Sequence, residues 1–204
     1  MTRLRRLLAP ALALCAGTTT AARAQAALPV SFEARVGAGI PVGDFGDGAA
    51  PGWAVGITAR GALKPGVELY GGYDHFAFNT DESVDDDPEA DVNIDDDGFR
   101  AGLRSNFAVT RVGGASPWLE AGVIVNHTKL RASSGGASAS FDSDWMVGFE
   151  GGAGLSFPIN SMLALTPGVR YRQHRARFTD NGLDGPGSVT TSYFAVDIGV
   201  NFRL

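Results

Sequence analysis

Cysteine is almost absent from this chain. The single residue, Cys15, lies in a short apolar stretch near the N-terminus. Leu14 precedes it where a lipid-attachment site wants a small residue, so lipidation is not expected. A chain cut beyond that stretch has no disulfide, no thiolate nucleophile and no thiolate-bound metal. Lysine is nearly as scarce: Lys64 and Lys129 stand against 15 arginines. Also missing are a long amphipathic helical period, an internal repeat of roughly 20–50 residues and a linker between domains. The apolar run Leu7–Ala16 is far short of the roughly 20 residues a spanning helix needs. A formal net charge of −5 gives no reason to expect a nucleic-acid partner. Mean hydropathy is +0.01, too polar for a helical membrane protein.

What the N-terminus does carry is a secretory pattern. Arg3, Arg5 and Arg6 precede the apolar core, and Ala22-Arg23-Ala24 and Ala24-Gln25-Ala26 offer small-residue cleavage sites. Residues 1–26 are therefore expected to be a cleaved signal peptide and 27–204 a single exported domain.

That domain is dominated by alternation with period two, the signature of strands with two unlike faces. Eight such segments are expected, near 31–40, 52–62, 67–78, 98–109, 117–130, 143–157, 162–177 and 191–204. In the last, Phe194, Val196, Ile198, Val200, Phe202 and Leu204 share one face, and Asp197, Gly199, Asn201 and Arg203 the other. Connections at 41–51, 79–97, 131–142 and 178–190 are long and polar. Those at 63–66, 110–116 and 158–161 are short and rich in turn formers. Long on one side and short on the other is the outer-membrane pattern, and an even strand count puts both termini on the short side.

Alternation alone does not say which face is outside, because a soluble ligand-binding barrel shows the same period. Three features favour an apolar exterior. The polar face sets arginine beside glycine, as a narrow lumen requires. Arginine far outnumbers lysine, and its planar fork suits buried carboxylate pairs. Aromatics gather near strand ends: Trp53, Phe99, Trp145 and Phe194 toward the long loops, Phe107, Trp118, Phe157 and Phe202 toward the short turns. Two belts fit two membrane interfaces.

The phrase Val36-Gly37-Ala38-Gly39-Ile40-Pro41-Val42-Gly43-Asp44-Phe45 and the alternating final strand resemble the small outer-membrane barrels, the family around the transmembrane domain of outer membrane protein A and the short adhesin-like barrels. The resemblance covers nearly all of 31–204. It implies an eight-stranded antiparallel up-and-down transmembrane β-barrel, seated in the bacterial outer membrane. It also implies a C-terminal strand read by the barrel-assembly machinery. The family usually ends on an aromatic residue, whereas this chain ends on Leu204 with Phe202 two residues earlier. The family's functions are mixed, so fold alone does not give function.

Four constellations bear on chemistry. Glu33, Glu68, Asp74, Glu120, Glu150 and Asp197, with Arg35, Arg60, Arg100, Arg104, Arg170, Arg172 and Arg203, form the expected lumen charge network. Near balance in so narrow a bore points to a salt-bridged plug rather than an ion path. The acidic segment from Asn79 to Asp97 includes Asp85, Asp86, Asp87, Asp95, Asp96 and Asp97, a possible weak divalent-cation loop. It is not an EF-hand, since the frame beginning Asn93, Asp95, Asp97 puts Arg104 at the twelfth position. His75, His127 and His174 fall near the upper strand ends. Asp74-His75 resembles the acid–histidine pair of larger outer-membrane proteases, and His127-Thr128 the histidine–serine of lipid A deacylases, but neither has its partners in the sequence. Arg170 and Arg172 point inward by parity, while Arg175 and Arg177 fall at the rim, where they suit lipopolysaccharide phosphates. The expected protein is a monomeric structural or interaction barrel with a closed lumen and acidic surface loops. It takes no cofactor or metal and has no catalytic residues. Its expected partners are outer-membrane lipid and lipopolysaccharide, plus the assembly machinery during biogenesis. A passive channel for small solutes or hydrophobic molecules is the alternative, and an outer-membrane hydrolase the third.

Overall fold

The computed structural model of the protein describes residues 30–80, 91–107, 114–134, 137–178 and 187–204. The expected signal peptide lies outside the described residues. Among these residues nine antiparallel strands make one sheet: β1 (Val30–Pro41), β2 (Ala50–Lys64), β3 (Val67–Asn79), β4 (Asp91–Asn106), β5 (Ser116–Ser134), β6 (Ala137–Asp142), β7 (Met146–Pro158), β8 (Leu163–Phe178) and β9 (Gly187–Arg203). Eight of them close a barrel. β4 pairs with β5, and β1 with β9, so no barrel strand keeps a free edge. β6 is an extra short strand that folds back on the top of β5, from Lys129↔Asp142 to Ser134↔Ala137.

The strands follow the alternation and outrun it at the extracellular end. Within 131–142, expected as a loop, residues 131–134 continue β5 and residues 137–142 form β6. β4 begins at Asp91, so Asp95, Asp96 and Asp97 sit in strand backbone against Lys129, Thr128 and His127. Acidic residues disfavour strands intrinsically, but cross-strand pairs offset this here. Arg131 meets Asp95 at 2.7 Å, and Asp97 accepts from the Tyr73 hydroxyl at 2.7 Å.

Turn chemistry sits at the opposite end. Gly66 closes the β2–β3 hairpin at φ 78°, a left-handed conformation open to glycine at little cost. In the β7–β8 connection the Asn160 side chain accepts from the Met162 and Leu163 amides, both at 2.8 Å. The Leu204 amide donates to the Val30 carbonyl at 3.0 Å, which puts the C-terminus on this same short-turn side.

Side chains divide as the alternation implies. Phe32, Val36, Ile57, Leu69, Phe99, Leu103, Val123, Phe149 and Ile198 are exposed on the outer wall, whereas Glu33, Arg35, Arg100, Glu120, Glu150, Arg170 and Arg172 are buried within. An apolar exterior around a charged interior is stable only with lipid as the outer solvent. The eight-stranded bore leaves just enough room for side chains to fill it. Inward glycines create that room. A Cβ on Gly154 or Gly168 would overlap the indole of Trp118, and one on Gly56 would overlap Asp74.

Trp118 corrects an expectation. It is not part of an outer aromatic belt but lies buried in the lumen. It shares parity with Glu120, and parity outweighs proximity to a turn. The interior is also less uniformly polar than expected. Phe76, Phe78, Ile94 and Tyr193 pack inside near the extracellular end, and Phe45 joins them. Phe45 is carried inward by a 3-10 turn, Gly43–Phe45, that begins on a positive-φ glycine and meets Phe78 edge-on at 5.3 Å.

Candidate functional site

The lumen forms four zones along the barrel axis. At the extracellular end lies the aromatic lid. Phe76 and Phe78 approach Tyr193 at 4.7 and 5.2 Å between ring centroids. At the same level Asp96 is fully buried. Its carboxylate accepts from Tyr193 Oη at 2.8 Å, Asn126 Nδ2 at 2.7 Å and Thr128 Oγ1 at 3.1 Å, and stands 3.3 Å from His174 Nε2.

The charge network fills the middle. Asp74 takes Arg35 and, at 2.6 Å, Arg172. Glu150 accepts from Arg100 Nε at 2.8 Å, Arg172 Nε at 3.0 Å and Tyr70 Oη at 2.7 Å. Glu120 binds Arg100 at 2.5 Å and also Arg170, which in turn binds Asp197. Glu33 is met by Arg60 at 2.5 Å, Arg35 at 3.4 Å and the Thr166 hydroxyl at 2.5 Å. Carboxylates are shared among arginines from opposite walls, and arginines among carboxylates, so the ions bridge the bore. Burial raises the cost of leaving any of them unpaired. Below lies Trp118, with the Arg104 guanidinium over its ring at 4.0 Å. The last zone is a cavity of about 730 Å³ at the short-turn end.

Of the expected network, Glu33, Arg35, Arg60, Asp74, Arg100, Arg104, Glu120, Glu150, Arg170, Arg172 and Asp197 are brought together in the buried plug of the lumen. Glu68 and Arg203 are not. They line the terminal cavity, where Arg203 is exposed and Glu68 half-buried.

The acidic grouping needs a similar correction. Asp85, Asp86 and Asp87 lie outside the described residues. Asp95 and Asp97 face outward and Asp96 inward, because successive strand residues alternate. These three cannot converge on one cation. Among the described residues, no group of three or more histidine, cysteine or acidic side chains is placed to hold a metal.

Alternation also separates the histidine pairs. Asp74 is in the plug, whereas His75 is on the outer wall, where its Nδ1 lies 2.8 Å from Asp97 Oδ1 and its ring 5.0 Å from Trp53. His127 is outside against Trp145, at 5.4 Å, and Thr128 is inside. Neither pair can act on one substrate. Tyr70, Trp118 and Tyr193 join the lumen without belonging to any of the four constellations, and Asp96 and His174, expected in the acidic loop and among the upper-end histidines, meet each other there. The signal that marks them is parity, since each shares it with a lumen residue on its own strand.

A closed, eight-stranded antiparallel barrel with an apolar exterior and an ion-filled lumen defines a small integral protein of the bacterial outer membrane. Residues 11–203 match the family model described as outer membrane protein beta-barrel domain, and the chain belongs to that family. No curated protein sequence matches it. Among solved structures it is similar to Neisserial surface protein A, with 16% identity and a TM-score of 0.58 over 86% of this chain and 97% of that one. It is also similar to a major outer membrane protein of Thermus thermophilus (11%, 0.56, 86% and 99%). The attachment invasion locus protein Ail of Yersinia pestis is a third (17%, 0.52, 86% and 99%). At these identities the likeness is one of fold.

Proposed function

We propose that the protein is a closed, non-conducting barrel with a structural and interaction role, displaying its long connections at the cell surface and catalysing nothing. The bridged lumen is the observation that carries this reading. The cavity within the plug, between Arg35, Asp74, Arg170 and Arg172, measures about 10 Å³, room for one water at most. Above it the aromatic rings pack against a polar cluster around Asp96 whose groups are bonded to one another. An ion entering would need the Arg–carboxylate pairs to part, and each broken buried pair costs roughly 3–5 kcal/mol. The fold is shared with a neighbour named for attachment and invasion, which supports a surface-contact role. Exposed Arg175 and Arg177 would meet lipopolysaccharide phosphates, the last strand would be read by the assembly machinery, and the barrel would stand as a monomer.

Purified protein reconstituted in planar bilayers is expected to give no conductance steps. Stable ohmic steps from the wild type would overturn the proposal. A second reading, uptake of small hydrophobic molecules, is favoured by a cavity of about 170 Å³ at the extracellular mouth, lined by Phe45, Ile94, Leu130, Ala176, Phe178 and Val189. Accumulation of a hydrophobic dye in protein-loaded vesicles at a rate above that of empty ones would support it over the closed barrel.

A further inference from the structure

Buried charge in the lumen is balanced in number but not in position. Among the described residues, six arginines and six carboxylates are buried, counting Asp96. Asp96 is the carboxylate at the extracellular end, and its partners are hydroxyls, an amide and a histidine rather than arginine. The plug below it therefore holds six guanidinium groups against five carboxylates: Glu33, Asp74, Glu120, Glu150 and Asp197.

The most loosely paired of these cations is Arg104, at the periplasmic face of the plug. Its nearest carboxylates, Glu120 and Glu33, are 3.9 and 4.0 Å from Nη1, and its side chain is 2% exposed. Among the described residues Nη1 has no hydrogen-bond partner, and Nε has only a long contact of 3.3 Å to Asn106. Arg60 beside it is ion-paired to Glu33, yet its Nε is also without a hydrogen-bond partner there. A buried guanidinium carries five donors, and leaving them unmet is costly.

Both arginines line the 730 Å³ cavity that faces the periplasm. Lys64 and Arg203 stand at its mouth, and Glu68 is the one acid among its described lining residues. Arg60 is matched by Glu33, so Arg104, Lys64 and Arg203 against Glu68 leave an excess formal charge of +2 around the cavity. Low-dielectric walls concentrate such a field, and the volume lies in the range of small-molecule sites. Trp118 backs Arg104 and fixes its fork, so the donors are already oriented.

We infer that this cavity is a binding site for a compact polyvalent oxyanion from the periplasm. Arg104 and Arg60 would hold one anionic group at the floor, and Lys64 and Arg203 a second at the mouth. Phosphate and carboxylate oxygens both match guanidinium geometry. The site is independent of whether the plug conducts, since the ligand stops short of it.

The test is isothermal titration of the detergent-extracted full-length barrel at low salt with pyrophosphate, and separately with the tricarboxylate tricarballylate. Saturable binding of either supports the site. Pyrophosphate alone assigns it to phosphates, and tricarballylate alone to carboxylates. Arg104→Gln is expected to weaken binding at least tenfold. Lys64→Gln combined with Arg203→Gln, which touches only exposed positions, is expected to weaken it at least threefold and keeps the test open if Arg104→Gln fails to fold. Arg175→Gln with Arg177→Gln, on the outer wall at the other end, should change nothing. Absence of saturable heat with both anions up to about 10 mM (on the order of the weakest useful site) would overturn the inference. So would binding that survives the Lys64/Arg203 double substitution unchanged.

Discussion

Replacing Glu150 by glutamine is the sharpest probe of the plug, because it changes charge and one acceptor while leaving volume nearly constant. Glu150 accepts three hydrogen bonds, from Tyr70, Arg100 and Arg172. The glutamine carbonyl can keep the bonds from Tyr70 and Arg100 on one oxygen. Its amide then faces the Nε donor of Arg172, so one charge-assisted bond becomes a donor–donor contact. Such a bond contributes about 1.5–3 kcal/mol, and breaking a buried pair costs about 3–5 kcal/mol. Both arginines retain a second carboxylate, Arg100 with Glu120 at 2.5 Å and Arg172 with Asp74 at 2.6 Å. Sharing therefore places the expected loss at the low end, about 3 kcal/mol, or roughly two decades in the folding constant. Urea unfolding from phosphatidylcholine vesicles, followed by tryptophan fluorescence and by migration of the unboiled protein on a gel, measures it. In a cycle with Arg172→Gln, the double variant should lose at least about 1 kcal/mol less than the sum of the singles. A loss below about 1 kcal/mol, or strict additivity, would refute the idea that shared ion pairs hold the lumen.

Three further outcomes test other parts of the molecule. Gly154→Ala should overlap Trp118 and cost about 1–3 kcal/mol, with an altered tryptophan emission spectrum. The same change at Gly61, where an added Cβ would meet nothing within 4 Å, should be nearly silent in the same unfolding assay. Val36→Arg places a charge on the lipid face midway along β1 and should destabilise the barrel by about 2–4 kcal/mol, read as a lower urea midpoint. Phe45→Ala removes the buried ring of the lid, a change that costs about 3–5 kcal/mol in a closed core. Bilayer recordings of that variant should remain silent, because the ionic plug beneath is intact.

Much of this architecture is visible in the alternation, because a two-residue period fixes faces as soon as one residue is assigned. Val36 and Ile198 must be outside once Arg35 and Asp197 are inside. Sequence and structure part where a second rule competes with parity. Closeness to a turn draws Trp118 to the membrane interface, although Glu120 already sets its face. Asp95–Asp97 read as loop because strand propensity disfavours acids, and partners on other strands make strand tolerable there: Arg131 for Asp95, Tyr193, Asn126 and Thr128 for Asp96, and Tyr73 and His75 for Asp97. The candidate site is legible as a list of charges but not as a set of contacts. Nothing in the order of residues says that Arg100 reaches Glu150 on a distant strand, or that Arg104 is left without a close carboxylate. Those follow from the shear and bore of the closed barrel.

The sharing of ions across the bore also bears on how the protein enters its membrane. Arg35 of β1 and Arg172 of β8 converge on Asp74 of β3, while Arg100 of β4 reaches Glu150 of β7 and Arg170 of β8 reaches Glu120 of β5. None of these strand pairs are neighbours in the sheet. A chain inserted hairpin by hairpin would keep only the pairs between adjacent strands, such as Arg100–Glu120 and Arg172–Glu150, and would lack these cross-bore partners until the final β1–β9 seam formed. Insertion is therefore expected to be concerted, with the seam and the ion pairs appearing together. The same pairing that fills the bore would make closure of the barrel an all-or-none event.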